Sequence, residues 1–193
     1  MKSTQLAHSL ISDKLCGGEV VIDATAGNGH DALFLANLVG VSGTIYAFDV
    51  QKDAINNTRL KLQETDYFES LRLINSGHEK MRESISAEHH GCIAVIMFNL
   101  GYLPGGDHSI TTLKETTLEA ISQGLELLAP EGIMTIVCYP GHQEGKTESI
   151  LVDDYVKKMD SNKFEFFKYM NETASEDAPF LIKIKNITCR RGC

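Results

Sequence analysis

Strand-like and helix-like segments alternate along the 193 residues of this chain, and this alternation limits the folds open to it. Apolar and β-branched runs favour strands, whereas apolar residues spaced three or four positions apart favour amphipathic helices. Five successive strand–helix units predict an α/β sandwich with a mostly parallel sheet. The predicted strands cover residues 19–24, 43–50, 70–75, 93–98, 132–140, 163–171 and 179–186. The predicted helices cover residues 30–39, 51–65, 78–86, 112–130 and 147–159, and the first 15 residues are expected to form another.

The last two predicted strands differ from the first five because no helical segment separates them. Strands that follow each other without a crossover helix pair antiparallel. The chain contains no linker, internal repeat or low-complexity tract. We therefore expect residues 1–193 to form a single domain with no separate substrate module.

Charge and cysteine content narrow the class of protein. The formal net charge of −8 disfavours a protein that coats nucleic acid non-specifically, because neutralising phosphates requires many Lys and Arg. No apolar run approaches the ~20 residues that cross a bilayer, so no membrane association is expected. Five cysteines without paired spacing suit the reducing cytosol, and Cys189 and Cys193 alone do not make a metal site. We expect a cytoplasmic protein without a metal.

Polar residues gather after the predicted core strands, and the carboxyl ends of parallel strands are where open sheets bind ligands. Gly27 and Gly29 follow the first strand and allow the backbone to turn tightly beside a ligand. Asp49 lies near the end of the second strand and suits a carboxylate that accepts both hydroxyls of a ribose. This combination predicts an adenosine-type cofactor. Further polar residues at these ends are Asp23, Asn28, Asp31, Gln51, Asn75, Ser76, His78, Asn99, Tyr102, Tyr139 and His142.

Two adenosine cofactors compete for this loop. The sequence GNGHDA, residues 27–32, matches the dinucleotide pattern G-x-G-x-x-A, which makes NAD one candidate. Asp23 counts against NAD, because its carboxylate would repel a pyrophosphate but not the positive amine or sulfonium of S-adenosylmethionine. An NAD enzyme would also need a second domain to hold the hydride acceptor, and the predicted strands and helices do not include one. Asn99 and Tyr102 form an N-x-x-Y sequence after the fourth strand, and together these features favour S-adenosylmethionine.

Several stretches together resemble the class I S-adenosylmethionine-dependent methyltransferases: VIDATAGNGHD, FDVQ, SGHE, NLGYLPGGDHSITT and YPGHQEGK. More closely, they resemble the YtqB-like family, earlier described as rRNA methylases and associated with MnmM activity. The resemblance runs from Ala7-His8 to the strand at 179–186. It implies a Rossmann-like, seven-stranded, mostly parallel sheet whose last strand is antiparallel. It also implies methyl transfer to the aminomethyl nitrogen of the tRNA wobble uridine, with the tRNA anticodon arm as partner.

The same resemblance implies which residues contact the cofactor. Asp23, at the end of the first strand, and Asp31, in the segment after it, are two further candidates for contacts with the cofactor. Tyr139-Pro140 and Arg190-Arg191 depart from the family pattern, which leaves the tRNA contacts open. The residues implied by similarity are Gly27, Asn28, Gly29, Asp49, Gln51, Ser76 and His78.

Methyl transfer to an amine explains why such an apolar fourth strand ends in a side-chain amide. The amine lone pair must point at the sulfonium carbon, and the Asn99 side-chain oxygen and the Leu100 carbonyl can accept the amine N–H bonds and aim it. Orientation of this kind supplies a large part of enzymatic rate enhancement. Tyr102 suits a stacking contact with the base. A local backbone cap for Asn99 and a packed loop aromatic for Tyr102 are the structural alternatives.

A primary amine is mostly protonated in neutral water, so the site must also receive a proton. His142 is the preferred acceptor among four candidates. The candidates are Asp31, Asp107, His108 and His142.

Other functions stay open at this point. A methyltransferase for rRNA or for a small amine would use the same cofactor site, and a non-catalytic domain that binds an adenosine ligand or NAD would use part of it. A homodimer that pools two weak basic patches would help an acidic chain bind RNA. The candidate basic residues are Lys157, Lys158, Lys183, Lys185, Arg190 and Arg191.

Overall fold

The computed structural model describes residues 2–101, 114–170, 175 and 177–189. Helices and strands alternate in this part of the chain, as the apolar periodicity predicts. The helices are α1 (Ser3–Ser12), α2 (His30–Val39), α3 (Lys52–Leu62), α4 (Met81–Ser84), α5 (Lys114–Leu127) and α6 (Gln143–Val156). The strands are β1 (Val20–Asp23), β2 (Thr44–Phe48), β3 (Leu71–Ile74), β4 (Ile93–Asn99), β5 (Leu128–Cys138), β6 (Phe164–Tyr169) and β7 (Phe180–Asn186). Short 3₁₀ turns cover Phe68–Ser70, His78–Lys80 and Ala87–His89.

The seven strands form one sheet in the order β3-β2-β1-β4-β5-β7-β6. The first five strands pair in parallel, and β7 lies antiparallel between β5 and β6. This arrangement confirms the predicted α/β sandwich, its seven strands and the antiparallel pairing at the end. The chain runs outward from β1 to β3 and then returns to β4, so strand order reverses between β1 and β4. A reversal of this kind opens a crevice at the carboxyl ends of the two strands.

Alternate residues of the central strands enter two separate cores, because successive side chains of a strand point to opposite faces. Val21, Ala47 and Met97 lie in the core on one face, with buried residues of α1, α2 and α3. Ile22 and Phe98 lie in the core on the other face, with buried residues of α4, α5 and α6. The sheet is therefore covered on both faces, as a mostly parallel sheet requires.

The boundaries around the fifth strand differ from the sequence-based prediction. The helix expected to stop near Pro130 ends at Leu127, and β5 begins at Leu128 rather than at residue 132. The start of β5 is irregular: its register against β4 shifts, and Glu131 adopts a positive φ of 68°. Pro130 is tolerated in this irregular stretch because a regular ladder N–H is not needed there. The next helix begins at Gln143 instead of residue 147, because His142 caps it.

Helix α1 packs against β5 and β7, two neighbouring strands on the β6 side of the sheet. Ala7 and Ile11 are fully buried, and the Ser3 hydroxyl donates to the backbone oxygen of Pro179 at 3.1 Å. One face of α1 is thereby held next to α2 and the crevice. No helix within the described ranges is both long and apolar enough to cross a membrane.

Candidate active site

The crevice between β1 and β4 is closed at its floor by hydrogen bonds between the two strand ends. The backbone N–H of Ala24 donates to the Met97 oxygen at 2.9 Å, which continues the parallel ladder beyond β1. The backbone N–H of Asn99 donates to the Thr25 hydroxyl at 2.8 Å. The loop after β1 therefore starts in a fixed position beside the end of β4.

Gly27 and Gly29 shape the loop that follows. Both adopt positive φ, 52° and 73°, and Gly29 is the N-cap residue of α2. A Cβ at Gly29 would lie 2.8 Å from the Cα of Thr58 on α3, a distance that real Cβ atoms do not show. The Thr58 hydroxyl in turn donates to the Gly27 oxygen at 3.3 Å. The two glycines are needed for backbone conformation and for close packing of the loop on α3.

Asp49 lies directly after β2 and holds this loop by its carboxylate. Its Oδ2 accepts the Gly27 N–H at 3.0 Å, and its Oδ1 accepts the Gln51 N–H at 2.9 Å. Each carboxylate oxygen accepts more than one hydrogen bond, so capacity for a ribose hydroxyl remains. The predicted ribose role stays a prediction, and the structure adds a second task that spacing alone did not indicate, which is joining the glycine loop to the end of β2.

The structure also brings the other predicted cofactor residues to this edge. Asn28 accepts a bond from Asn57 Nδ2 at 2.9 Å, and Gln51 is the N-cap residue of α3. Ser76 lies half-buried after β3, where its N–H donates to Ile74 at 3.0 Å. These residues line the strand tips on the β2 and β3 side of the crevice.

His78 is buried, and its Nδ1 lies 3.1 Å from the backbone oxygen of Ala24. A carbonyl only accepts, so Nδ1 carries the proton. Burial lowers the pKa of His78 below its ordinary value, which favours the neutral ring. A neutral ring with Nδ1–H leaves Nε2 as a hydrogen-bond acceptor. His78 thus ties the turn after β3 to the loop after β1.

Asp23 is a buried carboxyl group with a perturbed pKa. It is fully buried; its Oδ1 accepts the Thr25 N–H at 3.2 Å, and its Oδ2 has no hydrogen-bond partner within the described residues. Burial raises the pKa of Asp23 well above its ordinary value, and the nearby carboxylates of Asp31 and Asp49 raise it further. A positive group placed beside Oδ2 would relieve this cost. The positive amine or sulfonium of S-adenosylmethionine fits that requirement.

Asn99, at the end of β4, has its side-chain amide oriented by Asp31. Asn99 Nδ2 donates to Asp31 Oδ2, whereas Asn99 Oδ1 is buried with no hydrogen-bond partner in the described part of the chain. The other oxygen of Asp31 is bonded to Nε2 of His8 at 2.6 Å. Sequence reasoning placed Asn99 and Asp31 at this edge but gave His8 no role, because only the packing of α1 brings it there.

The proposed proton acceptor His142 has a structural role at the start of α6. Its Nδ1 accepts the Gly145 N–H at 3.1 Å and lies 3.4 Å from Glu144 Oε2. That nitrogen is occupied by the helix cap, so the predicted catalytic role gains no support from this contact. Tyr102, together with Asp107 and His108, lies outside the described residues.

Tyr139 is a further aromatic residue at this edge. It follows β5 half-buried, and its pKa is raised by burial first and then by the nearby carboxylate of Asp31. The strand-end pattern placed Tyr139 here without assigning a role. Its position beside Asp31 makes it a wall of the crevice on the β5 side.

Comparisons with known proteins show what this chain is similar to. Residues 45–185 match the model of the family described as "Putative rRNA methylase". A relative in Arabidopsis thaliana, named tRNA (mnm(5)s(2)U34)-methyltransferase, chloroplastic, is 38% identical over 162 residues, which are 80% of this chain. The chain spans 58% of the length of that plant protein.

Two solved structures share both the fold and a substantial part of the sequence. A Clostridium thermocellum protein described as an rRNA-methylase superposes with a TM-score of 0.92 at 39% identity, and the match covers 97% of this chain and 98% of that one. A Streptococcus mutans protein assigned as a methyltransferase was solved in complex with SAH. It superposes with a TM-score of 0.85 at 33% identity, and the match covers 96% of this chain and 98% of that one.

Proposed function

This chain belongs to the rRNA methylase family, and we propose that it is an S-adenosylmethionine-dependent N-methyltransferase that acts on tRNA. The proposed acceptor is the aminomethyl nitrogen of 5-aminomethyluridine, or of its 2-thio form, at the wobble position. The name of the plant relative supports this substrate. The S. mutans structure with SAH supports the cofactor, because SAH is what remains of S-adenosylmethionine after its methyl group has left. The whole chain, residues 1–193, is proposed to act as one domain.

The observation that carries the proposal is the orientation of the Asn99 amide. Its nitrogen is bonded to Asp31, and its buried oxygen, which has no partner in the described residues, is the atom left to accept a hydrogen bond. An amine that donates one N–H to Asn99 Oδ1 has its lone pair directed by that bond. The backbone carbonyl of Leu100 is a second acceptor for the same amine.

Other residues near Asn99 are proposed to bind the cofactor and to accept the proton. When bound, S-adenosylmethionine supplies an electrophilic methyl carbon on a sulfonium. Asp23 and the glycine loop hold the positive end of that molecule, and Asp49 and Gln51 hold its ribose. His142 stays a proposed proton acceptor, and Asp31 is the other candidate in the described part of the chain, because it lies beside Asn99 and a carboxylate can accept a proton from an ammonium group.

Nucleoside analysis tests the substrate directly. Deleting the gene should remove the methylaminomethyl uridine from total tRNA and leave the aminomethyl form in its place, as measured by mass spectrometry of tRNA digests. A plasmid with the wild-type gene should restore the product, whereas Asn99→Ala should not. Unchanged tRNA nucleosides with an altered rRNA digest would assign the enzyme to rRNA instead. Parallel titration of the purified protein with S-adenosylmethionine and NAD separates a methyltransferase from a dinucleotide-binding domain.

The proposed partner is the tRNA anticodon arm, and the proposed location is the cytoplasm. Cys16, Cys92 and Cys138 are free thiols, which suits a reducing compartment. Two of the candidate RNA-binding lysines are paired with carboxylates: Lys157 with Asp153 at 2.7 Å and Lys185 with Glu131 at 2.7 Å. Such pairs weaken a single patch, which is the reason to retain the proposed homodimer. Sedimentation of the protein with and without an anticodon stem-loop tests that assembly.

A further inference from the structure

We propose that His8 of α1 is a positioning residue that fixes the Asn99 amide through Asp31. The inference rests on the proposed methyl transfer, because it assigns His8 a part in aiming the acceptor amine. Three side chains from three separate elements form the chain of contacts: His8 from α1, Asp31 from α2 and Asn99 from β4.

The imidazole of His8 is held on both sides. Its ring stacks on the ring of Phe34, with centroids 3.7 Å apart and planes inclined by 3°. Its Nε2 lies 2.6 Å from Asp31 Oδ1. The side chain of His8 is 30% exposed, against 11% for Asp31, so the contact lies where the crevice reaches the surface. The stacked ring and the packed helix leave the imidazole little freedom to turn.

The chemistry of the three groups determines their roles. An ionised carboxylate only accepts hydrogen bonds, so both neighbours of Asp31 must donate: His8 through Nε2–H and Asn99 through Nδ2–H. Because His8 engages Oδ1, the carboxylate plane is fixed and Oδ2 faces Asn99. The Asn99 amide then keeps its oxygen, and not its nitrogen, as the atom without a hydrogen-bond partner in the described residues.

Loss of the His8 contact would free the carboxylate to turn about its side-chain bonds. Asn99 could then turn its Nδ2 toward the substrate, and a donor facing the N–H bonds of an amine cannot accept them. The expected result is slower methyl transfer with little change in cofactor binding, since His8 does not contact the glycine loop in any described interaction.

Two substitutions separate the hydrogen bond from the packing. His8→Phe keeps an aromatic ring to stack on Phe34 but has no donor for Asp31. His8→Gln loses the ring but retains an amide N–H that can reach Asp31. The measured quantities are kcat and KM for tRNA purified from the deletion strain, the Kd for S-adenosylmethionine, and the free energy of unfolding.

We expect His8→Phe to lower kcat by about 10- to 100-fold, because displacing a reacting group by about 1 Å costs up to 10²-fold. Its Kd for S-adenosylmethionine should change by less than about threefold. His8→Gln should be about tenfold faster than His8→Phe. The double variant His8→Phe/Asp31→Asn should be no slower than Asp31→Asn alone, because both changes break the same chain. If His8→Phe keeps the wild-type kcat, or if His8→Gln is the slower of the two, the proposal is wrong.

The NMR signals of the Asn99 side chain test the positioning role without measuring catalysis. This test can therefore fail or succeed independently of the proposed function. The side-chain amide resonances of Asn99 can be assigned by their absence in Asn99→Asp. They should shift in His8→Phe and stay near their wild-type positions in His8→Gln. If the wild-type protein methylates no tRNA, the proposed function fails while these resonances still report the His8 contact. Resonances that do not move in His8→Phe would overturn the positioning role.

Discussion

Replacing Asp23 by Asn should stabilise the protein without cofactor while weakening cofactor binding. Asp23 is fully buried, and its pKa is raised above the ordinary 3.8, mainly by burial and then by Asp31 and Asp49. The folded state therefore holds a proton on Asp23 at a pH where the unfolded chain has released it. Asn has the same shape, keeps the acceptor for the Thr25 N–H and carries no charge at any pH.

Proton linkage gives the direction in which the free energy of unfolding changes with pH. Below the ordinary pKa the carboxyl is neutral in both states, so its full contribution to stability is present. As pH rises from there toward the raised folded pKa, the unfolded state loses its proton first, and the free energy of unfolding falls. One proton contributes a slope of at most about −1.4 kcal/mol per pH unit over this window, and the loss is complete above the folded pKa. Asp23→Asn removes this slope.

The assay is urea unfolding of the wild type and of Asp23→Asn between pH 4 and pH 8, without cofactor. The difference in free energy of unfolding should grow with pH in favour of the variant. Asp66→Asn, which changes an exposed carboxylate, is the matched control and should run parallel to the wild type. Calorimetric titration should show the reverse order for S-adenosylmethionine, with Asp23→Asn binding more weakly by about 1.5–3 kcal/mol. A difference independent of pH would refute the account of a burial-raised pKa.

Three further substitutions test other parts of the site. Asn99→Ala should lower the single-turnover methylation rate by about 100-fold while the Kd for the cofactor stays within about threefold. Asp49→Ala should weaken cofactor binding by about 1.5–3 kcal/mol and also lower the thermal midpoint, because two backbone N–H groups lose their acceptor; unaltered affinity would remove Asp49 from the site. Gly29→Ala should lower the free energy of unfolding by about 2–5 kcal/mol, from its positive φ and its clash with Thr58. Gly91→Ala, with the same φ of 73° and nothing within 4 Å, should lose only the backbone part, so equal losses would contradict the clash.

Local sequence patterns predicted most of the fold because they depend on neighbours along the chain. The run from Ile93 to Phe98 is apolar throughout, and a strand buried on both faces needs that composition. The failures lie at boundaries. Pro130 predicts the end of a helix, but the pairing of Leu128 with Ile93 makes this stretch part of β5. At this position the pairing with a strand distant in sequence outweighs the local preference for helix.

The site, like the fold, was predictable where it depends on local sequence and not where it depends on long-range contacts. Glycine spacing and an acid after the second strand predicted the cofactor loop, since turns and strand ends are readable from the chain alone. The partners of each side chain were not readable. Asp49 bonds to the Gly27 and Gln51 backbone, and His142 caps α6 through Gly145. These contacts follow from how the elements pack, which one sequence does not specify by spacing.

Local patterns along the chain predict most strands, helices and tight turns, and they place polar side chains after the core strands. Which of those side chains meet depends on how distant elements pack. The strand order placed β4 beside β1, so that Asn99 reaches Asp31, and the packing of α1 brought His8 to the same carboxylate. Periodicity and turn chemistry depend on residues within a few positions of each other. A site at a sheet edge is formed by residues that are distant in sequence and that only packing brings together.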